Sequence, residues 1–211
     1  MQKENRLEYI EELQTKSAPR IKKAAAKIGR QQLQGYGEYL LDALKSIINN
    51  PKSWQAQSEI IRALGITNCV EESEYLKGLL LFNFNSTILY RDLGFSICLL
   101  EDIPNNKLDF LKCTLSSGNE LLISGACSAL LYKKFIPSEQ DIEKILESIS
   151  SINTNEGNII TPRCYIAALA YLWPPHQTKK FLEACLQSKW SGLVEIAQSS
   201  INGKQTKYVL I

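Results

Sequence analysis

Tyr39-Leu40-Leu41-Asp42-Ala43-Leu44 is the stretch that decides the fold, because related hexads recur along the 211-residue chain. The strong copies have an aromatic residue, then Leu, and a second Leu at the sixth position. The other copies are Tyr75-Leu76-Lys77-Gly78-Leu79-Leu80, Phe110-Leu111-Lys112-Cys113-Thr114-Leu115, the weaker Asp141-Ile142-Glu143-Lys144-Ile145-Leu146, and Phe181-Leu182-Glu183-Ala184-Cys185-Leu186. Their first residues are 36, 35, 31 and 40 positions apart. Recurrence at this interval is typical of stacked helical repeats, not of a single closed core.

Each hexad lies in the second helix of a predicted helix pair, because its apolar residues follow one stripe of a 3.6-residue period. The helix before it is apolar and carries small residues, which let two helices approach closely. We therefore predict an all-α fold, a right-handed superhelix of five helix pairs plus a closing helix, in one domain spanning 1–211. The predicted repeats and the closing helix are 18–50, 53–83, 86–117, 119–151, 161–188 and 189–201. The predicted equivalent core positions are Leu40, Leu76, Leu111, Ile142 and Leu182.

Helix boundaries are marked by capping residues and prolines. Ser53, Ser138 and Thr161 are placed to cap helix starts, and Pro162 follows Thr161 at the first helical position. Pro174-Pro175 ends a helix. The polar insert from Ser150 to Thr161 explains the 40-residue step, since insertions in repeat proteins form loops.

Composition limits the class of protein. The chain is 45% hydrophobic, enough to bury a large core without a second domain. Its six cysteines form no C-x-x-C pair and lie in apolar helical stretches, which favours reduced, buried thiols. The N-terminus resembles no signal or transit peptide, and no apolar run reaches the ~20 residues that span a bilayer. We expect a cytoplasmic protein without a membrane segment.

Charge is unevenly distributed, although the net charge is only +2. Residues 1–66 hold 11 basic and 7 acidic side chains, residues 67–152 hold 7 and 12, and residues 153–211 hold 6 and 3. An acidic middle between basic ends suits recognition along an extended surface. The alternative is that each helix simply exposes charges on its solvent face.

Matching residues in the predicted first helices tighten the pattern. Pro19-Arg20-x-x-x-Ala24-Ala25 recurs as Pro162-Arg163-x-x-x-Ala167-Ala168, and Arg62-Ala63-Leu64-Gly65 is similar to Ala26-Lys27-Ile28-Gly29. This combination resembles the HEAT-repeat family, including its phycocyanobilin-lyase-like variant, over most of the chain. The third and fourth repeats depart from it, because they lack the Leu-Gly ending. The resemblance implies an α-solenoid but no activity, since HEAT solenoids serve as scaffolds, inhibitors, lyases and DNA-repair enzymes.

Residues for catalysis are sparse in this sequence. His176 is the single histidine and has no Cys, Asp or Glu nearby at metal-ligand spacing. No nucleophile elbow, zinc-protease motif, P-loop or dinucleotide-binding motif is present. We predict that the protein is not an enzyme, with no catalytic residue, no metal and no cofactor.

Acidic residues in the predicted second helices are the candidate partner-binding site. If these helices line a concave face, their carboxylates form a negative stripe toward a basic protein partner. The predicted site residues are Glu74, Asp109, Asp141, Glu143 and Glu147. A structural explanation also exists, because carboxylates in a helix's first turn gain about 0.3–1 kcal/mol from the helix dipole.

A basic stripe on the first predicted pair allows two interpretations. Arg20, Lys23, Lys27 and Arg30 share one helix face. They can contact phosphates, or they can form the solvated surface of an end repeat. The second interpretation is favoured, because the whole chain is only weakly basic.

Function is predicted from architecture more than from motifs. We expect a non-catalytic protein-binding protein, most specifically a bacterial immunity protein that neutralises a toxin, with a basic partner and no nucleic acid or membrane. One alternative is a nucleic-acid-binding protein related to the HEAT-like alkylpurine DNA glycosylases, with which Trp54, Trp173 and Trp190 invite comparison. No glycosylase motif matches residue by residue. The other alternative is a general scaffold or adaptor.

Overall fold

Helices make up the architecture, and no strand occurs in residues 2–152 and 161–207, the parts of the chain that the computed structural model describes. Side chains are described from residue 6 onward. The α-helices are α1 (Gln2–Leu13), α2 (Ala18–Arg30), α3 (Gly37–Ile47), α4 (Trp54–Ile66), α5 (Ser73–Gly78), α6 (Ile88–Ile97), α7 (Asp109–Leu115), α8 (Glu120–Lys133), α9 (Glu139–Ser151), α10 (Pro162–Leu169), α11 (Pro175–Cys185) and α12 (Ser191–Ile201). The prediction of an all-α fold is confirmed for these residues.

Short turns of other helical types extend several α-helices. The 3₁₀ turns are Pro51–Ser53, Val70–Glu72, Leu79–Leu81 and Ala170–Leu172, and a π-helical turn at Cys98–Asp102 continues α6. When these turns are counted, the predicted repeats and the closing helix begin and end within three residues of the corresponding observed helices. Most of the polar insert lies at residues 153–160, outside the described residues.

Capping side chains set several helix starts, as the sequence predicts. The Ser138 hydroxyl accepts a hydrogen bond from the Asp141 amide, and the Thr161 hydroxyl accepts one from the Cys164 amide. The expected cap at Ser53 is wrong, because its side chain makes no capping bond to α4. Asn50 acts instead, and it caps the 3₁₀ turn that precedes α4.

Helix α1 lies outside the predicted repeats. It packs against α2 and α3, and it buries Tyr9 and Leu13 there. Its sequence is mostly polar and offers few apolar residues to mark a stripe, so its helical state depends on this packing. The chain therefore has one more helix at its start than the repeat pattern indicates.

Two rows of helices follow from the contacts. The first helices of the predicted pairs contact one another in succession, α2 with α4, α4 with α6, α6 with α8, α8 with α10, and α10 with α12. Among the second helices, α7 contacts α9 and α9 contacts α11, while α3 contacts the turn that leads into α5. We call these the first-helix row and the second-helix row.

The recurring hexads supply the contact between the two rows. Their equivalent apolar residues are almost completely buried, with exposed fractions of 0–3%. These residues are Leu40, Leu76, Leu111, Ile142 and Leu182. The prediction that they occupy core positions is confirmed.

Glycines let the first-helix row pack with its backbones in near contact. A Cβ atom added to Gly65 of α4 would lie 2.7 Å from the Ser96 backbone in α6. One added to Gly94 would clash with the Leu122 carbonyl oxygen, and one added to Gly125 would clash with the Arg91 carbonyl oxygen. The close spacing of α4, α6 and α8 is therefore possible only because glycine has no side chain at these positions.

The first-helix row bends sharply. Gln32, which follows α2, donates a hydrogen bond of 3.4 Å to the hydroxyl of Tyr132 at the end of α8. Packed helices lie 8–10 Å apart, so three steps in a straight row would separate α2 from α8 by about 24–30 Å. This contact, together with the closer packing of the first helices on one another than of the second helices, places the first-helix row on the inside of the bend and the second-helix row on the outside. This differs from the expectation that second helices line a concave face.

Replacement of Gly125 by Ala is expected to destabilise the fold. The added methyl group must push α6 away from α8, which costs about 1–3 kcal/mol or more in a packed interior. Gly78→Ala is the matched control, because no atom lies within 4 Å of the place that its added Cβ would occupy and a helical backbone accepts Ala. Urea unfolding followed by circular dichroism measures both. Equal stability of the two variants would contradict the close approach.

Truncation of the core hexad is the second test of the fold. Leu111→Ala removes a fully buried side chain from α7 and leaves a cavity between the rows, with an expected loss of about 2–5 kcal/mol. The exposed Leu81→Ala is the control and should leave the free energy of unfolding nearly unchanged. An unchanged unfolding midpoint for Leu111→Ala would contradict the assigned core.

Candidate functional site

The predicted acidic residues lie on three helices of the second-helix row. Glu74 is on α5 and Asp109 starts α7, while Asp141, Glu143 and Glu147 are on α9. All are exposed except Asp141, which is partly buried. They face away from the buried stripe of their helices, on the outside of the bend. The structure thus places them on helices of one row, but not together on one face.

Two of these carboxylates are already paired with lysines. Glu74 and Glu101 both pair with Lys77, the latter at 2.8 Å. Asp141 pairs with Lys112 of α7 at 2.7 Å and also accepts a hydrogen bond from Ser138. The lysine bond holds the pKa of Asp141 below its usual range. These pairs tie neighbouring elements together, so their acids offer less charge to a partner.

The other three carboxylates have no ion pair with any described residue. Glu143 and Glu147 are four positions apart on α9 and share one face. Asp141 lies about 160° away from Glu143 around the helix, on the flank that meets α7. The predicted stripe therefore separates into two carboxylates held in structural ion pairs, Glu74 and Asp141, and an exposed set without ion pairs, Asp109, Glu143 and Glu147.

The acidic surface also extends to residues outside the predicted site. Glu38 and Asp42 are exposed on α3, next to the turn that holds Glu71 and Glu72. Partial burial raises the pKa of Glu72, and the negative charges of Glu71, Glu38 and Asp42 raise it further. Lys45 acts in the opposite direction. Glu38 and Asp42 were missed because they belong to a segment whose net charge is positive.

Aromatic and aliphatic side chains are exposed at the end of α5 and at the start of α4. Leu81 is 91% exposed, Phe82 41% and Trp54 38%. Phe82 stacks on Phe84 at 5.8 Å between ring centres, and the Tyr90 hydroxyl donates to the Phe82 carbonyl at 2.6 Å. Trp54, Phe82 and Phe84 line a cleft of ≈ 220 Å³ whose rim includes asparagines. We call this feature the aromatic cleft.

A second charged cluster lies on the inside of the bend. Asp92 of α6 is fully buried and accepts a 2.6 Å hydrogen bond from the Ser58 hydroxyl of α4. The guanidinium groups of Arg62 and Arg91 approach the other carboxylate oxygen at 3.6 and 3.5 Å. Burial raises the pKa of Asp92, and the hydroxyl and the two guanidiniums oppose this rise.

Aromatic rings hold this arginine cluster in place. The Arg62 guanidinium lies over the Phe95 ring, 4.6 Å from its centre, and Phe95 contacts Tyr132 edge to face at 5.6 Å. Burial raises the pKa of Tyr165, and the positive charges of Arg91 and Arg62 oppose this, so the phenol lies within their field. The cluster thus joins α4, α6, α8 and α10. No local sequence pattern indicates it, because Arg62 and Asp92 are thirty residues apart.

The lysines of the basic stripe on α2 contact α1. Lys23 lies 4.0 Å from the carboxylate of Glu12, and Lys27 lies over the ring of Tyr9 at 5.4 Å. Arg20 and Arg30 remain exposed at the edges. Lys23 also keeps 62% of its side chain exposed, so most of the stripe faces solvent, and both interpretations of it stay predictions.

The remaining candidate residues contribute little chemistry. His176 is exposed near the start of α11, and no group of three potential metal ligands occurs among the described residues. Burial raises the pKa of the thiols of Cys98, Cys127, Cys164 and Cys185, which disfavours the reactive thiolate. Trp173 is buried and donates its indole N–H to the Phe135 carbonyl.

Removal of both arginines is expected to destabilise the protein through Asp92. Arg62→Gln with Arg91→Gln leaves a buried carboxylate without a cation, a change that costs about 3–5 kcal/mol in comparable buried ion pairs. Adding Asp92→Asn should restore most of this stability, since the amide oxygen still accepts from Ser58. Arg20→Gln with Arg30→Gln is the surface control, with a change within about 0.5 kcal/mol. Thermal unfolding at neutral pH measures the stability of all three variants. An Arg62→Gln, Arg91→Gln variant as stable as the unmodified protein would contradict the pairing of the arginines with Asp92.

Comparison with protein families, with curated proteins and with solved structures found no match for this chain. Within residues 2–152 and 161–207, no helix has both the length and the apolar character needed to cross a membrane.

Proposed function

We propose that this chain is a non-catalytic, protein-binding α-solenoid of HEAT-like helix pairs, and most specifically a bacterial immunity protein that neutralises a cognate toxin. The observation that carries the proposal is the outward acidic surface of the second-helix row. Its exposed carboxylates lie on successive helices of that row, and Asp109, Glu143 and Glu147 form no ion pair with any residue that the structure describes.

The solenoid architecture is supported by the order of helix contacts. Each first helix packs on the next first helix along the chain, and the hexads fill the space between the two rows. Repeats that contact mainly their neighbours form long continuous surfaces, which such proteins use for binding. Such a surface suits recognition of another folded protein better than a small substrate.

The negative charge of the second-helix row indicates a partner with a basic surface. Concentrated carboxylates repel one another, and after partial burial the charges of Glu71, Glu38 and Asp42 contribute to the raised pKa of Glu72. A cationic partner relieves this repulsion. Toxins that act on nucleic acids need basic surfaces to hold phosphates. An acidic inhibitor can cover such a surface, which is why toxin neutralisation is our most specific assignment.

The aromatic cleft supplies the apolar part of the proposed interface. Exposed Trp and Phe side chains in a cleft are the residues that most often dominate binding energy in protein complexes. Leu81 ends the 3₁₀ turn that extends α5, the helix that carries Glu74, and Phe82 follows this turn. The charged surface can therefore guide the encounter while the cleft holds the complex.

Charge reversal on α9 tests this proposal with the proteins encoded beside the gene as probes. Glu143→Lys with Glu147→Lys should slow association with a basic probe about tenfold or more at low salt, and the difference should shrink as salt rises. Stopped-flow fluorescence measures the rate, and co-expression with the probe measures rescue of growth.

Lys179→Glu with Lys180→Glu on α11 is the matched control, since both lysines are exposed and reversal makes the surface more acidic. Its association should be unchanged or faster. If no neighbouring product binds, or if both double variants bind like the unmodified protein, the proposal fails.

One observation favours a second function, nucleic-acid binding of the kind seen in HEAT-like alkylpurine DNA glycosylases. Arg62 and Arg91 lie on the inside of the bend, where such proteins hold DNA. The cluster contains two guanidiniums and one carboxylate, and the α2 lysines are engaged by α1. Several phosphates must be neutralised for useful affinity, so this function remains the less supported one.

A further inference from the structure

The two arginines of the inner cluster keep most of their hydrogen-bonding capacity. A charge-assisted bond between a guanidinium and a carboxylate is normally about 2.7–2.9 Å long. Here both guanidiniums stand 3.5–3.6 Å from the same Asp92 oxygen, and only the Arg91 contact qualifies as a hydrogen bond. Asp92 therefore anchors the two groups without engaging them fully.

Solvent reaches the unused donors. A guanidinium has five N–H groups. No other described residue accepts a hydrogen bond from Arg62 or Arg91. Their side chains are 23% and 22% exposed, whereas Asp92 behind them is 0% exposed. The free N–H groups thus face the inside of the bend.

We infer that Arg62 and Arg91 form a binding site for one carboxylate group, on a small organic acid or on an Asp or Glu side chain of a bound protein. Two guanidiniums and the Asp92 carboxylate leave one net positive charge, which matches a single monoanion. Guanidinium groups present paired N–H donors that fit the two oxygens of a carboxylate. Phe95 beneath Arg62 fixes one of these groups before the ligand arrives.

The surroundings favour a single carboxylate over a phosphate chain. Nucleic acid needs a line of cations, and on α2 the Lys27 ammonium lies over the Tyr9 ring while Lys23, which is 62% exposed, stands 4.0 Å from Glu12. A phosphate dianion would also meet the negative charge of Asp92 directly behind the arginines. On the rim, the Tyr132 hydroxyl bonded to Gln32 offers a neutral polar contact, and the Lys133 ammonium lies 5.4 Å from the centre of the Tyr132 ring.

NMR of the arginine side chains tests the site directly on the unmodified full chain. Sodium acetate is the first probe, with sodium chloride at matched ionic strength as the reference. We expect saturable shifts of the Nε–H signals of Arg62 and Arg91, while Arg20 and Arg30 respond equally to both salts. Arg163, which donates to the Ser150 and Ile152 carbonyls, is an internal control for an arginine already engaged.

A charge-balanced variant provides the second measurement. Arg62→Gln with Arg91→Gln and Asp92→Asn removes the site without leaving a buried charge, and it should bind acetate at least about tenfold more weakly. A short peptide with one Asp, compared with the same peptide carrying Asn, then distinguishes the two possible carriers of the carboxylate, a protein side chain and a small organic acid. If the Asp peptide also shifts the two arginines, the site accepts side chains, and if only acetate does, it accepts small acids.

Three results would overturn the inference, and none requires the variant to fold. The first is equal shifts for all arginines in acetate and chloride. The second is saturable binding of dimethyl phosphate that is stronger than that of acetate. The third is tight, salt-dependent binding of a short oligonucleotide that shifts the two arginines. Either of the last two results would show that the two arginines bind phosphate groups in preference to carboxylates.

Discussion

The structure depends on the near contact of three helices in the first-helix row. Because Gly65, Gly94 and Gly125 have no side chains, α4, α6 and α8 approach until backbone meets backbone. A contact this close fixes how each helix is rotated about its axis. That rotation buries Asp92 and brings Arg62 of α4 to the same carboxylate oxygen as Arg91 of α6. Packing and electrostatics are therefore set by the same residues.

The close packing of the first helices also separates the two charged surfaces of the molecule. The first-helix row bends until Gln32 reaches Tyr132, so its free face is short and holds the arginine cluster. The second-helix row lies on the outside, where the helix ends spread and carboxylates from α3 to α9 are exposed. A small net charge of +2 conceals this division, since positive and negative groups cancel in the sum but not in space.

Local regularities in the sequence predicted the helices, because the hexads and the caps at Ser138 and Thr161 depend on residues a few positions apart. The helix α1 was missed, since its stability comes from packing on α2 and not from its own pattern. Asn50 replaced Ser53 as a cap because the chain enters α4 through a 3₁₀ turn. The exposure of the carboxylates on the second-helix row could be predicted from the sequence, because it follows from helical periodicity. The contact between Arg62 and Asp92 could not be predicted in this way, because it joins separate repeats.

The two sides of the molecule suit different stages of binding. Exposed charges act over a distance of about 10 Å at moderate salt, so the outer acidic surface can raise the rate of encounter with a basic protein. Its charges are well solvated and add little to the strength of the final complex. Strength must come from groups that lose water on contact, namely the aromatic cleft and the partly shielded guanidiniums. A partner that engages the acidic surface alone would therefore bind fast and leave fast, whereas a stable inhibitor complex also requires the cleft beside α5.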